Sequence, residues 1–276
     1  MDNDRRRALK PLVRYAGSMP GVPLSLENKV ALVTGGSRGI GAATVRLFRQ
    51  AGARVAFNYR SAQSAADALV AECGGPTQCI AFAQDLSTPD DGRSLVRSTV
   101  DHFGRIDILV ANHGIWESQE ASIATMSDNQ WRTTLAINLD SVFGLIQAAV
   151  GHMQKQRPSG GSVVLISSTA GQRGEAFHAD YAASKGAVIS MTKGLATELA
   201  RDGIRVNCVA PGWVATDMSA PALNDKNSDR FLSLIPLGRP ADPIEIAGPV
   251  LFLCTPLAGF MTGEIVNVNG GAVLAG

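Results

Sequence analysis

The sequence predicts a single-domain, Rossmann-type α/β fold, a doubly wound sheet of seven parallel strands with helices on both faces. Short apolar runs alternate with helical stretches along the chain, which is typical of βαβ units. Several of the runs are continuously apolar, as expected when helices cover both faces of a parallel sheet. No repeat or low-complexity linker divides residues 26–276, so we expect one domain there.

The elements follow in order from local sequence. Runs rich in Val, Ile and Leu predict strands at 30–34, 54–58, 78–83, 107–111, 162–166, 204–209 and 264–268. The stretches between them predict helices at 42–50, 62–73, 89–103, 131–156, 179–201 and 242–254. Gly52 suits the C-terminal end of the first helix, and Pro89 suits the first turn of the third.

Composition narrows the range of partners. The 276 residues carry 25 Lys+Arg against 24 Asp+Glu, a net charge of +1. A general nucleic-acid binder or a binder of anionic membranes would need a basic excess, and no uninterrupted apolar run reaches the roughly 18 residues of a membrane helix. The four cysteines form no CxxC pair, which favours reduced thiols in a cytoplasmic protein. We therefore expect neither a nucleic acid nor a membrane as partner.

The N-terminal segment differs from the rest. Residues 1–24 contain five basic side chains, followed by glycine and proline, and lack the apolar core of a secretory signal. We interpret them as a flexible basic extension before a domain at 25–276. A basic arm, a targeting segment or a start codon assigned too far upstream are the alternatives.

A glycine-rich turn between the first strand and first helix predicts a phosphate site. Its glycines let the backbone turn sharply and approach a pyrophosphate, which the helix N-terminus then binds through free N–H groups. The candidate residues are Gly35, Ser37, Arg38, Gly39, Ile40 and Gly41. Tight packing alone is the alternative. No Lys-Ser/Thr follows the last glycine, so a phosphoryl-transfer loop is disfavoured.

The end of the second strand indicates the cofactor. Folds that prefer NAD usually place a carboxylate there to bind the ribose hydroxyls. This chain has Tyr59, Arg60 and Ser61 instead, and Arg38 lies in the phosphate turn. Two guanidinium groups suit the 2′-phosphate of NADP, although solvated arginines are the alternative.

Tyr181 and Lys185 stand at i and i+4 on a predicted helix and therefore share one face. A nearby ammonium favours the phenolate and would lower the pKa of the tyrosine toward a useful range. The pair is a candidate proton donor and acceptor, although an isolated match is more often a surface pair.

The pair is not isolated. Ser168 lies 13 residues before Tyr181, an Asn-His-Gly sequence starts at Asn112, Asn138 lies in the long helix, and Pro211 begins a Pro-Gly-Trp-Val-Ala-Thr segment. Together these motifs resemble the short-chain dehydrogenase/reductase family over residues 26–276. Within that family the chain is similar to the β-ketoacyl carrier-protein reductase branch and to related NADPH carbonyl reductases.

The resemblance implies a role for each matched residue. Tyr181 would be the general acid in reduction, Lys185 would hold the nicotinamide ribose and lower the tyrosine pKa, Ser168 would bond the substrate carbonyl oxygen, and Asn138 would anchor a water in a proton relay. The implied cofactor-binding set also contains Asp85, Leu86, Asn112, Gly114, Pro211, Gly212, Val214 and Thr216. As alternatives, Ser168 could be a turn residue, Asn138 could bond backbone, and Asp85 could cap a turn before Pro89.

Two histidines lie within or close to the matched motifs. His113 replaces the usual alanine, and we interpret it as a tolerated side chain in that turn. His178 faces either the substrate cleft or solvent. Neither histidine has other potential metal ligands near it in the sequence, so we expect no metal.

The substrate side is less specified. Residues 217–239 form a long connection that suits a lid over cofactor and substrate. Trp116 and Phe177 could supply apolar walls, and Arg132 and Arg173 could receive an acyl carrier protein, or simply be solvated.

The sequence therefore predicts an NADP(H)-dependent oxidoreductase that interconverts a ketone and a secondary alcohol, with a 3-oxoacyl thioester as the first substrate hypothesis. A sugar, steroid or xenobiotic alcohol dehydrogenase, with NAD as a further option, and a non-catalytic NADP-binding sensor are the alternatives. The resemblance also implies a homotetramer built on the long helices 131–156 and 179–201 and on the last strand.

Overall fold

Seven parallel strands form one sheet in the order β3-β2-β1-β4-β5-β6-β7. The structure is a computed structural model that describes residues 24–223 and 231–274. The strands are β1 (Val30–Val33), β2 (Arg54–Tyr59), β3 (Cys79–Ala83), β4 (Ile108–Ala111), β5 (Gly161–Ile166), β6 (Ile204–Pro211) and β7 (Ile265–Val268). The predicted fold class is confirmed. The predicted basic extension, apart from Leu24, lies outside the described residues.

Helices cover both faces of the sheet. They are α1 (Gly39–Gln50), α2 (Gln63–Glu72), α3 (Pro89–Phe103), α4 (Asp128–Leu135), α5 (Ser141–Lys155), α6 (Thr169–Arg173), α7 (Ala179–Leu199), α8 (Ala220–Leu223) and α9 (Pro243–Cys254). The predicted helix at 131–156 begins earlier and is divided by a π-helical turn at Ala136–Asp140. The short helices α6 and α8 were not predicted.

The core consists of two apolar layers, one on each face. Val33, Phe48 and Val250 belong to the layer under α1 and α9, whereas Leu32 and Leu145 belong to the layer under α3, α5 and α7. Neighbouring residues of β1 enter opposite layers because side chains alternate along a strand. The strands are therefore buried on both sides, as their continuous apolar runs predict.

One helical stretch, Asp128–Lys155, is long and apolar enough to cross a membrane by length and composition. In this fold it includes α5, which packs closely against α3 and contributes Leu145 and Met153 to the core. A buried core helix accounts for the same composition.

The strand order reverses at β1, whose neighbours are β2 on one side and β4 on the other. In sheets of this type the chains diverge at that point and leave a crevice at the carboxyl ends of the strands. Every motif singled out in the sequence lies at or near this edge.

Candidate active site

A cavity of about 320 Å³ lies at the carboxyl edge of the sheet. Its walls come from the β1–α1 turn, the ends of β2 to β6, and α7. Among the predicted site residues, those that line it are Gly35, Ser37, Arg38, Gly39, Ile40, Tyr59, Arg60, Ser61, Asp85, Leu86, Asn112, Gly114, Ser168, Tyr181, Lys185, Pro211, Gly212, Val214 and Thr216. Gly41 and Asn138 do not line the cavity. They contact residues that do.

The β1–α1 turn has the geometry that a bound phosphate requires. Gly39 begins α1 with a φ of +53°, and a Cβ on Gly41 would lie 2.1 Å from the carbonyl oxygen of Gly35. Arg38, the N-cap of α1, makes no side-chain capping bond, so the helix N-terminus is open toward the cavity. These observations fit the pyrophosphate of a dinucleotide.

Asn58 holds this turn in place and was missed by the sequence analysis. Its Oδ1 accepts the N–H of Gly35 at 2.8 Å, and its Nδ2 donates to the carbonyl of Gln84 at 2.8 Å. The side chain therefore links the ends of β1, β2 and β3. A polar residue inside an otherwise apolar strand was the available signal.

The end of the cavity beside β2 and β3 carries two arginines, Arg38 and Arg60, and two aspartates, Asp85 and Asp217. Tyr59 ends β2 and Arg60 follows it. Arg38 forms an ion pair with Asp217 at 3.2 Å, with both side chains mostly exposed. Asp85 accepts the N–H of Leu86 and lines the cavity, whereas Thr88 caps α3. The alternative role of Asp85 as a cap is therefore filled by Thr88.

The turn after β4 is fixed by hydrogen bonds to β1. Asn112 donates from Nδ2 to the carbonyl of Thr34 at 2.9 Å, and His113 bridges Thr34 Oγ1 (2.8 Å) and Ser141 Oγ (2.7 Å). Burial, and secondarily the charge of Lys185, lowers the pKa of His113 to about 3, so its imidazole is neutral. His113 is thus a structural bridge between β1 and α5, rather than merely a tolerated side chain.

Asn138 lies in the π-helical turn and is buried. Its Oδ1 accepts the N–H of Ile115 at 2.8 Å, and its Nδ2 donates to the carbonyl of Ile115 at 2.9 Å and to Ser184 Oγ at 3.2 Å. The extra residue of a π turn re-aims a helical side chain, which explains its position. The bonds to the backbone of Ile115 match the alternative that Asn138 bonds backbone. Its role in a water relay stays a proposal.

Ser168 and Tyr181 are brought together by α6 and α7. Ser168 is the N-cap of α6, where its Oγ accepts the N–H of Ala170 at 3.1 Å, and it lines the cavity together with Tyr181. Burial raises the pKa of Tyr181 to about 12, against the lowering effect of Ser168.

Lys185 lies beside Tyr181, as the spacing predicts, and its lowering of the tyrosine pKa stays a prediction. Its Nζ lies 5.8 Å from the centre of the Tyr181 ring and donates to the carbonyl of Ile166 at 2.9 Å. Burial lowers the pKa of Lys185 to about 8. The i, i+4 rule places the two side chains on one face, but the carbonyl at the end of β5 takes the ammonium.

The segment after β6 closes the cavity from the other side. A Cβ on Gly212 would lie 3.0 Å from Asn269, and one on Gly39 would lie 3.1 Å from Thr216 Cγ2. These close approaches pack the segment against β7 and the phosphate turn. Of the predicted lid at 217–239, Asp217 and Met218 line the cavity, and 224–230 lie outside the described residues.

The substrate end is aromatic and carries one charge of each sign. Trp116 and Trp213 line it in an edge-to-face contact of 5.8 Å, and Glu175, which the sequence analysis missed, lines it beside Arg173. Phe177 and Arg132 are not cavity-lining residues, so the predicted wall at Phe177 is not formed there.

His178 faces neither the cleft nor solvent. It is buried and stacks on Trp116 with ring centres 5.0 Å apart. Within residues 24–223 and 231–274 no group of three or more His, Cys, Asp or Glu side chains could hold a metal ion.

Comparison with known proteins gives consistent matches. Residues 35–273 match the family model described as enoyl-(acyl carrier protein) reductase. A 3-oxoacyl-[acyl-carrier-protein] reductase from Synechocystis sp. is 41% identical over 91% of this chain and 99% of that protein.

Two solved structures are similar throughout. One is a short-chain dehydrogenase/reductase from Brucella melitensis described as glucose/ribitol dehydrogenase, with a TM-score of 0.82, 38% identity, and 90% and 98% of the two chains covered. The other is a blue fluorescent protein from a metagenomic library, solved in complex with NADPH, with a TM-score of 0.83, 38% identity, and 91% and 100% covered.

Proposed function

This chain belongs to the short-chain dehydrogenase/reductase family, and we propose that it reduces the ketone of a 3-oxoacyl thioester with NADPH. It is an oxidoreductase. The observation that carries the proposal is that Ser168, Tyr181 and Lys185 line one cavity with the phosphate turn at the carboxyl edge of the sheet.

The residues present fit a nicotinamide dinucleotide. The turn from Gly35 to Gly41 would hold the pyrophosphate, and Arg38 and Arg60 would hold a 2′-phosphate. Asp85 and Leu86 would contact the adenine, and Asn112, Gly114 and the segment from Pro211 to Thr216 would surround the nicotinamide half. When bound, the cofactor supplies the hydride. The NADPH complex of the metagenomic relative supports the choice of NADP.

The chain's own residues hold and move the proton. The Ser168 hydroxyl donates to the carbonyl oxygen of the substrate and stabilises the alkoxide that develops there. Tyr181 gives its phenolic proton to that oxygen, and its raised pKa keeps the hydroxyl protonated at neutral pH, as reduction requires. Lys185 would hold the cofactor ribose, and Asn138, whose side chain bonds Ile115 and Ser184, would anchor a proton-supplying water.

The Synechocystis relative supports a 3-oxoacyl thioester as substrate. A second candidate, a polyol or sugar dehydrogenase, is supported by the description of the Brucella melitensis structure and by the acidic side chain of Glu175 in the cavity. A non-catalytic sensor would have no use for the Ser168–Tyr181 pair.

The test is steady-state oxidation of NADPH with acetoacetyl thioesters, repeated with NADH. We expect turnover with NADPH that Tyr181→Phe reduces by about 10²–10⁴-fold, since it removes the proton donor. Binding of NADPH, followed by its fluorescence, should persist in this variant. Turnover without dependence on Tyr181 would contradict the mechanism, and equal activity with NADH would contradict the cofactor assignment.

The protein is proposed to act in the cytoplasm as a homotetramer. Phe143 on α5 and Leu257 and Phe260 before β7 are exposed apolar side chains at the regions that the resemblance implies as contacts. Light scattering after size exclusion tests this: four times 28.9 kDa is expected, and a monomer would contradict it.

A further inference from the structure

Glu175 is a carboxylate that the fold presents at the substrate end of the cavity. It lies in the loop between α6 and α7, lines the cavity together with Tyr181 and Trp116, and has a side chain that is 21% exposed. A carboxyl group that is mostly buried is costly unless something interacts with it.

The loop that carries Glu175 contains one strained residue. Phe177 has a φ of +64°, a region that bulky side chains rarely adopt. The carbonyl of Phe177 accepts the N–H of Ala121 at 3.0 Å, which fixes the loop from outside. Such strain persists only where the surroundings determine it, and it concentrates at functional sites.

Glu175 is also oriented by its neighbours. His178 Nδ1 lies 3.8 Å from its Oε1. Trp116, which lines the cavity with Glu175, is fixed between His178 and Trp213 by ring contacts. A carboxylate has about four acceptor positions, so the contact with His178 leaves acceptor capacity toward the cavity.

The charges in the cavity limit which substrate groups can bind to the carboxylate of Glu175. Arg173 and Lys185 line the same cavity and oppose a cationic substrate, whereas Glu175 opposes an anionic one. A neutral N–H or O–H group meets neither penalty.

We propose that Glu175 is a specificity-determining residue, whose carboxylate accepts a hydrogen bond from an N–H or O–H group of a neutral carbonyl substrate. The inference rests on the proposed ketone reduction. Two sources would supply the donor: the first amide of a thioester arm, or a hydroxyl group of a polyol-like ketone.

Two substrate pairs separate these sources. The first compares the acetoacetyl thioester of N-acetylcysteamine with that of 2-acetoxyethanethiol, in which oxygen replaces the amide N–H. The second compares 4-hydroxy-2-butanone with 2-pentanone, in which a methyl group replaces the hydroxyl. Each pair should be measured as kcat/KM with NADPH for the wild type, Glu175→Met, Glu175→Gln and Glu117→Met. Glu117 is an exposed control that does not line the cavity.

We expect the wild type to prefer the donor member of at least one pair by about tenfold or more, as a hydrogen bond to a charged group allows. Glu175→Met should bring that ratio to about one, Glu175→Gln should leave an intermediate ratio because its amide oxygen still accepts, and Glu117→Met should keep the wild-type ratio. The pair that shows the preference identifies the source.

Wild-type ratios near one in both pairs would overturn the inference and leave the proposed function intact. A Glu175→Met variant that loses both members of a pair equally would assign Glu175 a structural role and also overturn it. No turnover of any ketone by the wild type would instead contradict the proposed function itself.

Discussion

Buried charged groups lie at both ends of the sheet, and they differ in the partners that the fold provides for their charge. At the amino end, Asp107 is 4% exposed, accepts the N–H of Val30 at 2.9 Å, and pairs with Arg105 through two bonds of 2.6 and 2.9 Å. At the carboxyl end, Lys185 is 5% exposed and donates to one backbone carbonyl, that of Ile166.

The difference distinguishes a charged group that stabilises the fold from one that belongs to a binding site. A buried carboxylate with an arginine and a backbone donor is satisfied within the fold, and it joins the starts of β1 and β4. A buried ammonium whose pKa burial lowers to about 8 is incompletely compensated, which is typical of a site that awaits a ligand. Substitution of the charged residue at the carboxyl end should therefore lower activity but not stability. Substitution at the amino end should lower stability but not activity.

Of the substitutions that compare the two ends of the sheet, Lys185→Met should have the largest effect on activity. Loss of the residue that holds the cofactor ribose should lower kcat/KM for NADPH-dependent reduction by about 10²-fold or more, since positioning supplies much of the rate. Initial rates with NADPH varied at a saturating ketone concentration, and with the ketone varied at saturating NADPH, measure this. Unchanged kcat/KM would remove Lys185 from the site.

The same variant should be more stable than the wild type at pH 7. Because the folded pKa of Lys185 is about 8 against 10.5 for the free side chain, the unfolded state binds more protons between these values, and wild-type stability rises with pH there. The variant should gain up to about 3 kcal/mol in free energy of unfolding below pH 8, an advantage that shrinks toward pH 10.5. Urea unfolding at several pH values tests this, and a destabilised variant would count against an uncompensated charge.

Asp107→Asn should show the opposite pattern. It leaves Arg105 without its buried partner, which should cost about 3 kcal/mol of stability. Cavity residues are untouched, so kcat/KM per folded molecule should stay at the wild-type level. A variant of normal stability would show that the amino end is not stabilised by this pair.

Arg38→Ala should have a smaller effect that is confined to the cofactor. Its ion pair with Asp217 is largely exposed and contributes little to stability. The ratio of kcat/KM for NADPH to that for NADH should fall about tenfold if the guanidinium binds the 2′-phosphate. An unchanged ratio would leave Arg60 as the determinant, which Arg60→Ala would then reveal.

The smallest effect should come from Thr88→Ala, at a residue that does not itself line the cavity. Thr88 and Asp91 form a capping box at the start of α3, and its loss should cost about 1 kcal/mol without changing kcat/KM. Thermal unfolding measures the first quantity, and a changed kcat/KM would show that α3 couples to the active site.

The sequence predicted the strands, the phosphate turn and the tyrosine-lysine face because each depends on local spacing. It missed Asn58 and Glu175 because their meaning depends on which loops the sheet order brings together. The lysine contact with Ile166 was missed for the same reason, since a backbone carbonyl leaves no sequence signal. The roles of the site residues stay predictions.

The central claim is that Tyr181 donates the proton in a site that the cofactor completes. Tyrosine labelled with ¹³C at Cζ, with Tyr181→Phe to assign the signal among the three tyrosines, gives the pKa of Tyr181 by NMR. We expect a value well above 10 in the protein alone and a lower value with NADP⁺, whose positively charged ring favours the phenolate. An ordinary value near 10 that NADP⁺ leaves unchanged would contradict the account.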